Sequence, residues 1–159
     1  MLSPAELRKL TRLPADYKRV QSKSECLRTT RVVMQQSVLE HLGEVQNRFF
    51  WLRGSPGTGK TAISLSIAST LANQGRLAAS FFWDKNQKDS GLDSAEMLPS
   101  TLVRQLAIFS EDFKLSLVKH LQREDLELAS SLGLEEQVKA LIIGPMCDLK
   151  ELWLLSEKH

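Results

Sequence analysis

The chain has 159 residues, of which 42% are hydrophobic, and a formal net charge of +2. That length fits one ordinary domain. The apolar content excludes a disordered chain, and the small charge excludes nucleic-acid binding carried by bulk charge. No apolar run approaches a membrane span, and Arg8, Lys9 and Arg12 interrupt the stretch where a signal-peptide core would lie. A cytoplasmic protein without membrane contact is therefore expected. Cys26 and Cys147 are too far apart in sequence for metal spacing or a disulfide framework, and read as small buried hydrophobes.

The charge is uneven. Residues 1–31 hold eight basic and three acidic side chains, net +5, which leaves the remainder at −3. A solvated, helical lead-in explains this run; a patch for an acidic partner is the alternative. Ser3-Pro4-Ala5-Glu6 has the form of a capping box with proline at the first helical position, and a short helix through Leu7 and Leu10 is expected to end before Pro14. Residues 16–25 are polar and read as loop. A second helix is predicted over 30–41, with Val33, Met34, Val38 and Leu42 on one face and Gly43 closing it.

The apolar run Phe49-Phe50-Trp51-Leu52 predicts a first strand over 48–52. It leads into Gly54-Ser55-Pro56-Gly57-Thr58-Gly59-Lys60-Thr61, which matches G-x-x-x-x-G-K-[ST], the phosphate-binding loop of NTPases. A chain of average composition contains this pattern by chance roughly once in 200. After the loop, Ile63, Ile67 and Leu71 recur every four residues and Gly75 supplies a stop signal, so a helix follows. The chemistry lies in the main chain. Gly54, Gly57 and Gly59 lack a Cβ, can adopt positive φ and let the backbone approach an anion closely. Successive N–H groups and the positive end of the helix dipole bind phosphate oxygens. Lys60 is expected at the β- and γ-phosphates and Thr61 on Mg²⁺, with Ser55, Pro56 and Thr58 shaping the loop. The alternative is a glycine-rich turn that happens to end in Lys-Thr.

Residues 77–83, Leu-Ala-Ala-Ser-Phe-Phe-Trp, read as a second strand buried on both faces, completing a βαβ unit. Residues 84–96 read as a polar surface loop at the carboxyl end of that strand, where open α/β sheets place ligands; Asp84 and Asp89 there are either near a nucleotide or, as is commoner for a lone carboxylate in a loop, simply solvated. Helices are predicted over 99–109, with Leu102, Val103 and Leu106 inward, and over 111–122, with Phe113, Leu117 and Leu121 inward. A polar linker covers 123–133. A shorter helix over 134–143 is expected to stop at Gly144-Pro145. The apolar tail contains Leu149, Leu152, Trp153, Leu154 and Leu155. His41, His120 and His159 have no metal-ligand companion at helical spacing, and no catalytic constellation is legible.

Several blocks together resemble the N-terminal part of a fungal NACHT domain of the nephrocystin-like subgroup of STAND-type P-loop ATPases. They are Cys26-Leu27-Arg28-Thr29-Thr30-Arg31, Phe50-Trp51-Leu52-Arg53-Gly54 running into the loop, and Ala79-Ser80-Phe81-Phe82-Trp83. Leu98-Pro99-Ser100-Thr101-Leu102-Val103-Arg104-Gln105-Leu106-Ala107 follows, and then Glu136-Gln137 with Leu141-Ile142 and Pro145. The resemblance implies an ATP- and Mg²⁺-binding signalling module that assembles into homo- or hetero-oligomers. It implies an incomplete P-loop three-layer α/β/α fold, with a helical lead-in over 1–47 and a partial nucleotide-binding domain over 48–159. It also implies an adenine-side contact from a basic residue at the start of the helix preceding the loop, matched by Thr30 and Arg31. Arg53 and Trp83 depart from the family pattern. The family next has an apolar strand ending in paired acids, the Walker B element. Here Leu152-Trp153-Leu154-Leu155-Ser156-Glu157 is followed by no aspartate, so truncation before Walker B, and nucleotide binding without efficient hydrolysis, are expected. An active ATPase with acids from elsewhere (Asp84, Glu157 or a partner chain) and an interaction module that ignores nucleotide are the rival readings.

Overall fold

The structure is a computed structural model that describes residues 31–44, 46, 49–83, 95–123 and 133–156, the side chains of 123 and 152–156 excepted. The predicted helix through Leu7 and Leu10, Cys26, Thr30, Asp84, Asp89, Glu157 and His159 lie outside these residues. The described residues fall into two compact units, one within Tyr17–Leu77 and one within Ala78–His159.

The first unit is built from α1 (Val32–Gly43) and α2 (Lys60–Asn73), which contact each other and are joined by the chain that carries the glycine loop. Val38 of α1 and Ile63, Leu65 and Ala68 of α2 are its buried apolar residues. The stripe read from the sequence was partly right. Ile63 is buried and Ile67 and Leu71 are half-buried, whereas Val33 and Met34 of α1 are exposed. The stop at Gly75 holds in detail. Gly75 takes φ +68, its N–H bonds the Ala72 carbonyl at 3.0 Å, and the Arg76 N–H bonds the Leu71 carbonyl at 2.8 Å. This is a Schellman cap, which satisfies carbonyls that the helix end would otherwise leave bare. At the other end of the unit, His41 of α1 meets Phe50 edge to face, with ring centroids 5.6 Å apart.

The described part of the second unit begins with irregular chain and continues as a helical bundle: α3 (Leu98–Phe109), α4 (Glu111–Arg123), and a long composite helix made of α5 (Leu134–Val138), a π-helical turn (Lys139–Ile143) and α6 (Gly144–Ser156). Its core joins Val103 and Ala107 of α3, Phe113 and Leu117 of α4, Leu141 of the π turn and Leu149 of α6, with Leu106, Leu121 and Ile142 packed against it. Phe113, Leu117 and Leu121 thus line the inner face of α4 as their spacing predicts. Each fully buried side chain of this size contributes about 1.5–3 kcal/mol. Ser110 both ends α3 and starts α4. Its N–H bonds the Leu106 carbonyl at 2.9 Å, and its hydroxyl accepts the Phe113 N–H at 3.2 Å. Glu111 and Asp112 in the first turn complement the helix dipole.

The three-layer α/β/α expectation is overturned: among the described residues there is no strand and no sheet. The apolar runs at 49–52 and 77–83 form neither helix nor strand. A strand exists through lateral pairing, and the main chain of Ser80 finds a different partner. The Ser80 N–H donates to Gln105 Oε1 at 3.0 Å, and Gln105 Nε2 donates to the Ser80 carbonyl at 2.8 Å. One side-chain amide from α3 therefore satisfies the main-chain pair that a neighbouring strand would have taken. The run before the loop is not a buried strand either, since Phe49 and Trp51 are 78% and 75% exposed. A short apolar run does not by itself reveal whether it will pair.

The predicted stop at Gly144-Pro145 is also corrected, because the helix continues. Pro145 lacks an N–H and falls in the first turn of α6, where the preceding π turn has already shifted the bonding. The Gly144 N–H reaches back five residues to the Lys139 carbonyl. The Pro145 carbonyl accepts the buried Ser116 hydroxyl at 2.8 Å, tying α6 to α4. Cys147, read as buried, is exposed and free. Gly144 is the point of closest approach: a Cβ there would stand 2.6 Å from His120 Cε1. Gly144→Ala is therefore expected to destabilise the bundle by about 1–3 kcal/mol through overpacking, read by urea denaturation. The same substitution in a His120→Ala background should cost markedly less.

Candidate functional site

The loop follows from a proline, three glycines and one lysine. Ser55 to Thr58 is a turn closed twice onto the Ser55 carbonyl, by the Thr58 N–H at 3.4 Å and the Thr58 hydroxyl at 2.8 Å. Pro56 and Gly57 occupy its centre. Proline presets φ for the first central position, and Gly57 at φ +79 supplies the left-handed second one, as a type II turn requires. Gly59 is left-handed as well, at φ +79, and is the cap from which α2 departs. Gly54 serves a different purpose. It does not share their positive φ, but a Cβ there would lie 2.9 Å from Thr58 Oγ1. It is glycine for want of space.

Lys60 folds back over this turn. Its ammonium donates to the Gly54 carbonyl at 2.8 Å, the Ser55 carbonyl at 2.7 Å and Thr58 Oγ1 at 3.4 Å. Its three protons are thus spread over three loop oxygens. Arg31 acts on the same turn from the start of α1, with Nη1 donating to the Thr58 carbonyl. Its guanidinium lies against Gly59, so that a Cβ on Gly59 would stand 3.2 Å from Nη1. Arg31 holds this position in left-handed backbone, φ +59, a conformation that costs a bulky residue about 1–2 kcal/mol.

These contacts orient the peptide groups. No cis bond occurs among the described residues, and in a trans peptide the N–H points opposite to its carbonyl. With the Gly54 and Thr58 carbonyls turned to the cations, the N–H groups of Ser55 and Gly59 are turned away from them. At the start of α2 the Ile63 N–H closes onto the Gly59 carbonyl at 3.0 Å, while the N–H groups of Lys60, Thr61 and Ala62 find no protein acceptor among the described residues. Thr61 is exposed on that first turn. The result is an accessible set of main-chain donors beside two cations, a combination suited to an anion.

The structure thus gathers Arg31 and residues 54–61 into one place. The family resemblance singled out Arg31 as an adenine-side contact and did not foresee its bond to the Thr58 carbonyl. Sequence reasoning also took Gly54 for a positive-φ residue. Among the described residues no group of three or more His, Cys, Asp or Glu side chains stands together as a metal site. No helix among them is long and apolar enough to cross a membrane.

The family model for the N-terminal region of nephrocystin 3 matches residues 28–150, a stretch that takes in the glycine loop and the helices that follow it. The chain belongs to this nephrocystin 3 N-terminal family. No curated protein and no solved structure matches it.

The loop geometry fixes what substitution should do. Gly57→Ala and Gly59→Ala place a Cβ on left-handed backbone and are each expected to cost about 1–2 kcal/mol in denaturant unfolding. Gly54→Ala should instead displace the Thr58 hydroxyl, and a Gly54→Ala, Thr58→Ala double variant should recover part of that loss.

Proposed function

We propose that the chain is a nucleotide-binding module of the NACHT type, in which the loop 54–61 holds the triphosphate of ATP and Thr61 helps hold Mg²⁺. The observation that carries this reading is the set of main-chain N–H groups at Gly59, Lys60, Thr61 and Ala62 that have no acceptor among the described residues, at the start of a helix and next to Lys60. Chloride or water satisfies single donors; several donors around one helix start favour a polyanion. On binding, the Lys60 ammonium exchanges part of its contact with the Gly54 and Ser55 oxygens for the β- and γ-phosphates. That exchange costs little, because these bonds are at the surface and accessible to water. The function is a conformational response to the bound nucleotide, in the cytoplasm and within homo- or hetero-oligomers.

A second reading, assembly without nucleotide, is favoured by the exposure of Phe49 and Trp51 just before the loop, since aromatic side chains of this size are enriched where chains associate.

Titration with ATP and Mg²⁺ separates the two. Saturation at about 100 times Kd should stabilise the protein against unfolding by about 2.7 kcal/mol. Lys60→Ala should weaken binding at least about tenfold, and Thr61→Ala should reduce the Mg²⁺ dependence. No stabilisation in the wild type, with assembly in sedimentation unaffected by ATP, would establish the second reading in place of the first.

A further inference from the structure

We infer that Arg31 is a positioning residue for the phosphate end of the proposed site, acting through the peptide between Thr58 and Gly59. The inference rests on the nucleotide reading and adds to it. Arg31 Nη1 donates to the Thr58 carbonyl. That carbonyl and the Gly59 N–H belong to one trans peptide group, so holding the oxygen on one side directs the N–H to the other. The Gly59 N–H has no protein acceptor among the described residues. The guanidinium also closes against Gly59, with Nη1, Cζ and Nη2 at 3.2, 3.5 and 3.7 Å from the position a Cβ would take. A peptide flanked by glycine turns easily; here one face is blocked and the oxygen is tied.

Arg31 does this from left-handed backbone at φ +59, with the side chain exposed. Neither burial nor a side-chain cap on α1 compensates for that conformation, since Arg31 makes no capping bond to the helix. Its described side-chain contacts are the ones with Thr58 and Gly59. Strained residues held by their surroundings cluster where a chain positions a ligand. The ligand chemistry is a phosphate chain, because the donor that Arg31 orients belongs to the loop's anion-binding set. A role at the base of the nucleotide would not need that peptide.

The test uses the full chain and two titrants, ATP and inorganic tripolyphosphate, each with Mg²⁺ and followed by calorimetry. Arg31→Ala and Arg31→Gly are compared with the wild type. Glycine takes φ +59 freely, so Arg31→Gly is compatible with the backbone path while it removes the side chain with its guanidinium. The expected result is a loss of about tenfold for both titrants in both variants. A loss confined to ATP assigns Arg31 to the base and overturns the inference, as does wild-type affinity in Arg31→Gly, which reduces Arg31 to a backbone role. A wild-type chain that binds neither titrant overturns the nucleotide reading itself, and this inference falls with it.

Discussion

The ammonium of Lys60 is the contact on which the loop depends. It lies 2.8 Å and 2.7 Å from the carbonyls of Gly54 and Ser55, two consecutive residues whose oxygens it draws to one cation. Carbonyls that converge need a cation; amides that converge need an anion. Because each peptide group carries both, turning the oxygens inward to Lys60 and Arg31 turns hydrogens outward. The cations thus organise the donors without touching them. Glycine is required where this geometry leaves the ordinary basins, at Gly57 and Gly59, and where it leaves no volume, at Gly54.

The bundle in the second unit obeys a separate constraint, that of bringing a composite helix onto α4. Gly144 allows the approach to His120, and the π turn absorbs the missing donor of Pro145 by bonding Gly144 to Lys139. The Ser116 hydroxyl then meets the Pro145 carbonyl inside the core. A glycine and a proline that ordinarily end a helix here set its contact point, because the residues after them, Leu149 above all, have a core to enter. Tertiary burial outweighs the local stop signal.

This explains what could be read from the sequence and what could not. The loop motif, the helix after it, its Gly75 cap and the inner face of α4 were legible, since each depends on residues a few positions apart. The sheet was not. Continuous apolar runs were taken for buried strands, but pairing depends on what lies beside a segment, and Gln105, twenty-five residues on from Ser80, took that place. The stop at Gly144 failed for the same reason. Arg31 was named from family likeness, while its contact with Thr58, across 27 positions, could not be read from either residue alone.

The Gln105 clip also bears on how a helical unit holds extended chain. A lone extended segment leaves alternate main-chain groups to water, and residues 77–82 are half-buried, where water is scarce. A carboxamide is neutral and carries a donor and an acceptor side by side in one plane, so it can match the N–H and the C=O of Ser80 as a β-ladder does. Gln105 Nε2 also donates to the Thr101 carbonyl, one turn back in α3, at 3.3 Å. The clip is thus anchored to its own helix, and the amide cannot rotate without giving up that bond as well. Replacing it with a carboxylate would keep the acceptor for the Ser80 N–H and lose the donors to the Ser80 and Thr101 carbonyls. A single amide on α3 therefore does at Ser80, and at that residue only, what a neighbouring strand would have done.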